Sequence, residues 1–504
     1  MGKFSPLLRE KLKLVNPSKT LVHLVVEVKR EKGDYVVSQL RESGFSVDTS
    51  LISTILDKTY IPVAVPAELV PEIAKIEGVE MVHKSLPRAA GGMTVAKIPF
   101  FSSVMDELIG EVRIPAVEIP ATAFMEALPN PISPLKALGN LAIPFTGINP
   151  ITNVKIFPTS ETFKIVKGDV KTKEGEGITV AILDTGSPRF TTQFLSPSKA
   201  LSLEEYTVIP EPPSDGQGHG SWCHNCVCGD PAPSPYGTIV GGAPKVSKSI
   251  HIKCLNTFPG AGTTEGILKA IEIAVNKGAR VISMSLGGPA QGTSAGDDAD
   301  VECKVVNELS KLEYIFVIAA GNSGSKLFTC GAPGAALMAV TVGSASIIDH
   351  YQPAHWSSRV QSDWYGEHKK EFERDLVKYG DMLIKPDCSS LGGGRASPGE
   401  VVDEIIWSGE SGWAEGMYDG IKDQTGGMHG TSQATPTAAG LIACLLSDGI
   451  VKNDLDVKKY LRETSGEYII RDPINTKEDD EYIAKYGKSF ATGWGLMMLK
   501  RYKK

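Results

Sequence analysis

Short apolar segments alternate with amphipathic ones from about residue 161 to residue 504. The segments ITVAILDTG, SKSIHIKCL, ARVISMSLGG and YIFVIAAGN are typical of parallel strands that are buried on both faces. Between them, stretches such as TEGILKAIEIAVNKG and CKVVNELSKL have apolar residues at helical spacing. The alternation predicts a three-layer α/β domain with a mostly parallel sheet, in which ligands bind beyond the carboxyl ends of the strands.

A smaller pattern occupies residues 19–86. A β-branched, apolar segment is followed by a helical one, two further strand candidates, a second helical segment and a last strand, VEMVHKS. The order β-α-β-β-α-β is that of a small α+β, ferredoxin-like unit, and we assign it to residues 1–90. That fold serves many purposes, so it does not by itself indicate a function.

Residues 87–160 carry ten prolines among apolar residues. Since proline removes a hydrogen-bond donor and disfavours helix in the preceding residue, long regular elements are not expected here. We predict that residues 91–160 form a linker or a strap on a neighbouring domain. A surface for a partner or a membrane interface is the alternative.

Composition narrows the class of protein. The chain has 504 residues, 41% hydrophobic and 22% charged, which suits a folded protein of two to four domains. A formal charge of −7 gives no bulk attraction for nucleic acid, and no apolar stretch approaches the length of a membrane span. The start, MGKFSPLLREKLKLV, does not predict a signal peptide, and the compartment stays open.

Polar residues follow the predicted strands at four places. Asp184 lies in ILDTG, His219 in GHGS, Asn322 in GNSG and Ser432 in GTSQATP. Taken alone, each motif is ambiguous: D-T-G could be a turn or half of an aspartic-protease pair, and the glycine-rich motifs are common turns. The chain order Asp, His, Ser is one of the known orders of a serine-protease triad.

These motifs resemble the four active-site blocks of the subtilisin-like serine proteases, and GGAP, SMSLGG, WSSRV, KPD and GWGLMML agree with that family. The resemblance extends over roughly residues 160–500. It implies that His219 is the general base for Ser432, that Asp184 orients the imidazole, and that Asn322 and the Ser432 N–H stabilise the oxyanion. It also implies two substrate-binding backbone rails: Ser285, Leu286, Gly287 and Ala319, Ala320, Gly321.

Several positions depart from the family pattern. Ser221 and Trp222 follow Gly220 where Thr-His is usual, and Gln433 and Ser283 replace Met and Asn. His429 stands where Asn is common and is expected to line the cleft or to be solvated; a second base is the alternative. None of these changes removes a catalytic group, but they leave the substrate preference open.

Three of the eight cysteines form a C-x-x-C-x-C cluster: Cys223, Cys226 and Cys228. A helix that starts at His219 would bury them, and buried cysteine behaves as a small hydrophobe. We predict buried thiols, with a disulfide to a distant cysteine or a metal site as alternatives. By family resemblance, Cys223 lies beneath the catalytic histidine.

The family resemblance implies the precursor of a serine endopeptidase that acts on peptides and proteins and needs no cofactor for its chemistry. Structural calcium is an expectation from the family. Residues 1–90 would be an inhibitory pro-domain, although the long insert departs from the usual short connection. The charged insertion at residues 363–382 is predicted to be a surface helix. A non-catalytic peptide-binding relative and an exopeptidase are the alternative functions.

Overall fold

The computed structural model describes residues 3–11, 21–90, 155–188, 194–348, 350–394, 404–410, 424–466 and 469–499. Their strands are β1 (Leu21–Lys29), β2 (Ser46–Val47), β3 (Ser53–Ile55), β4 (Lys58–Pro66), β5 (Val79–Lys84), β6 (Pro87–Ala90), β7 (Lys155–Pro158), β8 (Thr179–Asp184), β9 (Leu203–Thr207), β10 (Ala232–Ser234), β11 (Gly237–Ile239), β12 (Lys248–Lys253), β13 (Ala261–Thr263), β14 (Val281–Met284), β15 (Leu286–Gly287), β16 (Ile315–Ala319), β17 (Val340–Ala345), β18 (Cys388–Leu391), β19 (Glu404–Gly409) and β20 (Thr425–Met428).

The α-helices of the same residues are α1 (Pro6–Lys11), α2 (Gly33–Glu42), α3 (Val70–Ile73), α4 (Thr159–Lys167), α5 (Pro197–Ser202), α6 (His219–Cys228), α7 (Thr264–Asn276), α8 (Val301–Ser310), α9 (Asp363–Glu367), α10 (Lys369–Tyr379), α11 (Thr431–Ser447), α12 (Asp454–Thr464) and α13 (Thr476–Tyr486). Short 3-10 helices lie at Arg30–Lys32, Thr49–Leu51, Ala67–Leu69 and Gly380–Met382. Within the described part of the chain, no helix is long and apolar enough to cross a membrane.

A seven-stranded parallel sheet in the order β18-β17-β16-β14-β8-β12-β9 is the centre of the larger unit. Successive side chains of β8 enter two different cores: Ala181 and Leu183 pack with α7 and α8, and Val180 and Ile182 pack with α6, α11 and α12. Helices therefore cover both faces of the sheet. The predicted three-layer α/β domain is confirmed.

The N-terminal unit is an antiparallel sheet in the order β2-β4-β1-β5, with β3 paired to the far part of β4. The predicted α+β class is confirmed, but two elements differ from the pattern. The candidate strand after Gly44 is interrupted by a 3-10 turn, because the Asp48 side chain accepts the N–H of Ser50. The second helix is shorter than predicted, since a 3-10 turn precedes α3 and the helix ends at Ile73.

The N-terminal unit packs on the helices of the larger unit. The N–H of Thr54 donates to Glu272 on α7 at 2.9 Å, and Lys304 on α8 forms an ion pair with Glu27 on β1 at 2.6 Å. From α1, the N–H of Leu7 donates to the carbonyl of Gln291 at 3.2 Å. These contacts hold the N-terminal sheet over the side of the α/β unit on which α7 and α8 lie.

Two strands lie in the region predicted to be an irregular, proline-rich strap. β6 pairs with two segments of the larger unit, and β7 pairs in parallel with β19. Regular structure is therefore present at both ends of this region, because neighbouring strands supply the hydrogen bonds. The strap itself, residues 91–154, lies outside the described residues.

The charged insertion at residues 363–382 contains α9 and α10, as its pattern predicts. The predicted surface position is correct for only part of this insertion. Val377 is 90% exposed, whereas Trp364, Tyr365 and Phe372 are buried against the main core.

Candidate active site

Asp184 and His219 meet at the carboxyl edge of the parallel sheet. Asp184 is the last residue of β8, and His219 is the first residue of α6. The Nδ1 atom of His219 lies 2.8 Å from Oδ1 of Asp184, and both side chains are buried. Burial lowers the pKa of His219, but the charge and hydrogen bond of Asp184 and the charge of Asp215 outweigh it and raise the pKa above 6.5.

Asp215, which sequence reasoning missed, fixes the start of α6. Its carboxylate accepts the backbone N–H groups of Gln217, Gly218 and Ser221 at 2.7–2.9 Å, and the hydroxyl of Thr185 at 3.0 Å. It therefore ties the first turn of the helix to the end of β8. The available signal was an Asp placed shortly before a helix start, where its side chain can satisfy unpaired N–H groups.

Gly220 explains why the backbone at His219 can come so close to β8. A Cβ atom built on Gly220 would lie 2.5 Å from the carbonyl oxygen of Gly186. Any larger residue would push the first turn of α6 away from the strand. The glycine thereby allows the short distance between His219 and Asp184.

Ser432 lies in the first turn of α11, and this helix begins directly after Gly430, whose φ of 149° suits glycine. Its Oγ donates to the carbonyl of Ser285 at 3.1 Å, and Oγ of Ser285 donates to the carbonyl of Ser432 at 2.9 Å. Within the described residues, Nε2 of His219 is buried without a hydrogen-bond partner. The Ser432–His219 hydrogen bond expected from a triad is therefore not formed in this structure.

Asn322 lies beside the same helix start. Its Oδ1 accepts the backbone N–H of Thr431 at 3.0 Å and the Thr431 hydroxyl at 2.9 Å. These bonds fix the amide plane, so the NH₂ group remains as a donor beside Ser432. The Ser432 N–H belongs to the first helical turn, where no intrahelical acceptor exists and the helix dipole is positive.

One of the two predicted rails lies beside an extended segment of the chain in this structure. β15, which contains the predicted Leu286 and Gly287, pairs with β6. The other edge of β6 pairs with β13, not with residues 319–321. The carbonyls of Ala320 and Gly321 accept the N–H groups of Gly331 and Ser358, and the assignment of residues 319–321 as the second rail stays a prediction. Ala319 ends β16, close to Asn322 in the chain.

Most of the residues that depart from the family pattern are buried, and His429 is half-buried. Trp222 is completely buried, and its Nε1 donates to the carbonyl of Gly426 at 3.0 Å. Gln433 donates to the sulfur of Met428 at 3.5 Å, and Ser283 is buried in β14. His429 lies 5.6 Å from the ring of Trp356, and burial lowers its pKa to about 4. A neutral imidazole is expected there at pH 7.

All eight cysteines, which lie in the described residues, are buried free thiols. Burial raises the pKa of Cys226 to about 12 and that of Cys228 to about 11. The predicted buried thiols are confirmed, and the disulfide alternative is wrong. Cys223 lies below the site, with its Sγ 3.8 Å from Nδ1 of His219.

The three cysteines of the cluster do not converge on one point. In the described part of the chain, the potential metal ligands that lie within 4.8 Å of one another are Asp184, His219 and Cys223. Two of these side chains are already hydrogen-bonded to each other. The calcium expected from the family resemblance stays a prediction.

The sequence of this chain is similar to those of known proteins. The Subtilase family, Peptidase_S8, matches residues 175–495. Pyrolysin of Pyrococcus furiosus is 31% identical over 258 residues, and the alignment covers 50% of this chain and 17% of pyrolysin. Serine protease AprX of Bacillus subtilis is 28% identical over 316 residues, with 60% of this chain and 64% of AprX covered. The chain thus matches less than two thirds of the length of either relative.

The crystal structure of fervidolysin from Fervidobacterium pennivorans, described as a keratinolytic enzyme related to subtilisin, has the same fold. The TM-score is 0.54 at 17% identity, and the match covers 98% of this chain and 61% of fervidolysin. This similarity shows the fold, and the family match over most of the α/β unit identifies the class of protein. The chain belongs to the Subtilase family of serine peptidases.

Proposed function

We propose that this chain is a serine endopeptidase with Asp184, His219 and Ser432 as its triad, made as a precursor that processes itself. The observation that carries the proposal is the position of β6. This extended segment lies antiparallel between β13 and β15, as a peptide substrate would, and β15 follows directly on Ser285, whose carbonyl holds the Ser432 hydroxyl.

The proposed reaction assigns a role to each group of the site. When Ser432 Oγ leaves the Ser285 carbonyl and attacks the scissile carbonyl, Nε2 of His219 accepts its proton, and Asp184 stabilises the resulting imidazolium. The Ser432 N–H and the NH₂ group of Asn322 donate to the oxyanion. The imidazolium then protonates the leaving amine, and water hydrolyses the acyl-enzyme by the same route in reverse.

The register of β6 supports processing close to Ala90. Ala90 lies opposite Leu286, one position from Ser285. We propose that the precursor is cut within a residue or two after Ala90, and that the N-terminal unit then remains in the cleft as a product-like inhibitor. The contacts of this unit with α7 and α8 support that inhibition.

Labelling with a fluorophosphonate tests the nucleophile. The probe should modify Ser432 in the processed protein, as mapped by peptide mass spectrometry, and should leave Ser432→Ala unmodified. Ser389→Ala is the matched control, because Ser389 is a buried serine on β18. An unlabelled wild-type protein that still binds peptides would favour the non-catalytic alternative.

Product analysis separates an endopeptidase from an exopeptidase of the same fold. Mass spectra of a long, unstructured peptide digested by the processed protein should show internal cuts from the earliest times. Stepwise loss of short fragments from one end would contradict the endopeptidase assignment.

A further inference from the structure

The side chain of Arg88, the second residue of β6, is enclosed by the larger unit. It is 1% exposed, and its Nε lies 2.9 Å from both carboxylate oxygens of Glu302. Nη1 donates to the carbonyls of Pro87 and Pro289 at 3.1 Å, and Nη2 lies 3.8 Å from Asp300. The guanidinium therefore occupies a pocket with two carboxylates and a carbonyl of the α/β unit.

Both carboxylates are buried at the start of α8. Asp300 caps this helix by accepting the N–H groups of Glu302 and Cys303, and its other oxygen accepts the N–H of Gln291. Within the described residues, the ion pair of Glu302 is with Arg88. Burial raises the pKa of Glu302 to about 7 against the opposing charge of Arg88. A pocket of this kind stabilises a bound cation and penalises a neutral occupant.

The pocket has a defined place along the cleft. Arg88 lies opposite Gly262, and Ala90 lies opposite Leu286. In a substrate that follows the same path, the residue opposite Ser285 contributes the scissile carbonyl. The residue in the place of Arg88 is then the fourth on the amino side of the cleaved bond.

We propose that Glu302 and Asp300 form a specificity pocket that selects arginine as the fourth residue before the scissile bond, in peptide substrates as well as in the precursor. This inference rests on the proposed function and names the substrate class of the same cleft. Backbone pairing with β13 and β15 holds any residue at this place, but a neutral side chain leaves two buried carboxylates without a counter-ion. Lysine keeps the charge but lacks the fork that reaches the carboxylate and the carbonyl together.

The test uses the full chain after it has processed itself, with active sites counted by fluorophosphonate titration. The substrates are quenched fluorescent peptides with the sequence of residues 85–94 and Arg, Lys or Gln at the place of Arg88. We expect kcat/KM for the Arg peptide to exceed that for the Gln peptide at least about 30-fold, with Lys between them. Glu302→Gln should reduce this ratio at least tenfold.

Glu308→Gln is the matched control, because Glu308 lies on the same helix but pairs with Lys311 at the surface. It should keep the wild-type ratio. If the wild-type enzyme reacts with the probe but cleaves the Arg and Gln peptides equally, the proposed selectivity for arginine is wrong. This comparison uses the wild-type chain alone, so it does not depend on whether a variant matures. If the wild-type chain neither reacts with the probe nor cleaves any peptide, the proposed function fails, and the pocket's role in substrate choice fails with it.

Discussion

Asn322 is the side chain that we propose as an oxyanion donor, and its orientation is fixed by two hydrogen bonds. Both acceptor positions of its amide oxygen are used by Thr431, so the orientation of the NH₂ group is set before any substrate binds. Preorganised donors of this kind act on the transition state and contribute little to ground-state binding.

Changing Asn322→Ala should lower kcat by about 10²–10³-fold, the size of effect that loss of one oxyanion donor has in this family. KM should change little. Steady-state kinetics on the processed enzyme checks both values, with Asn307→Ala on α8 as a control. A large rise in KM with unchanged kcat would argue against the oxyanion role.

Asp387 is the shared counter-ion of a cluster of buried lysines. Lys385, Lys458 and Lys488 lie 2.7–2.9 Å from its carboxylate, and all four side chains are fully buried. Burial raises the pKa of Asp387, but the three ammonium groups outweigh it and hold the pKa below its usual 3.8. Its stabilising contribution is therefore present above about pH 3.8 and is lost as the pH falls further.

Changing Asp387→Asn should lower the free energy of unfolding by about 3–5 kcal/mol, because the buried lysines then keep only carbonyl acceptors and lose their shared counter-ion. Chemical denaturation in the inactive Ser432→Ala background avoids self-digestion. Asp381→Asn is the control: it removes a partly exposed pair with Arg462, and about 1 kcal/mol or less is expected. Equal effects of the two changes would contradict the account of the cluster.

Among individual residues, the sequence predicted those candidate site residues that lie in local motifs. Asp184, His219, Asn322 and Ser432 each carry glycine-rich neighbours that mark a turn after a strand. Arg88 and Glu302 carry no such mark, because the partners are 214 positions apart in the chain and become recognisable only when β6 lies in the cleft.

Elements with a strong pattern of their own were predictable. β8 and α7 follow their apolar periodicity, because β8 buries side chains in both main cores and α7 buries one face in the first of them. β6 was not predicted, since the sequence PRAA has no strand pattern and its hydrogen bonds come from β13 and β15. Residues 319–321 resemble a rail by position, and their role stays a prediction, because the backbone of β6 pairs with β13 and β15.

The start of α6 links an element to the chemistry of the site. Asp215 holds the first turn and adds negative charge near His219, which contributes to the raised pKa of the imidazole. Because a general base must be neutral, kcat/KM should rise with pH through a value above 6.5.

Changing Asp215→Asn should move this acid limb to lower pH, because a negative charge that favours the imidazolium is lost. The kcat should fall as well, since the helix start is less firmly held. The pH profile of kcat/KM measures the shift. Asp456→Asn, which removes a similar acceptor at the start of α12, should leave the limb in place. An unmoved limb in Asp215→Asn would show that its charge does not reach His219.

On the scale of the whole molecule, an ion pair that includes a buried carboxylate joins the N-terminal unit to the α/β unit. Glu27 is 1% exposed, and its pKa falls to about 2 because His83 and Lys304 outweigh the effect of burial. Lys304 belongs to α8, the helix that also carries Glu302. One helix therefore contacts both the body of the N-terminal unit and the strand that follows it.

Residues 1–90 added to the processed enzyme should inhibit it with a nanomolar constant, because a folded, product-like segment loses little entropy on binding. Lys304→Met in the enzyme should weaken this inhibition at least about tenfold, since Glu27 then loses its partner across the interface. Lys311→Met, at an exposed position near the end of the same helix, is the control. Absence of inhibition at micromolar concentrations would indicate that the N-terminal unit is an accessory domain.

Self-processing of the purified full-length chain tests the central claim most directly. Intact mass and N-terminal sequencing should show a cut within a residue or two after Ala90 in the wild type and none in Ser432→Ala, because losing this nucleophile costs about 10⁶-fold in turnover. A Ser432→Ala chain that matures at the wild-type rate in purified form would contradict the assignment of Ser432 as the nucleophile.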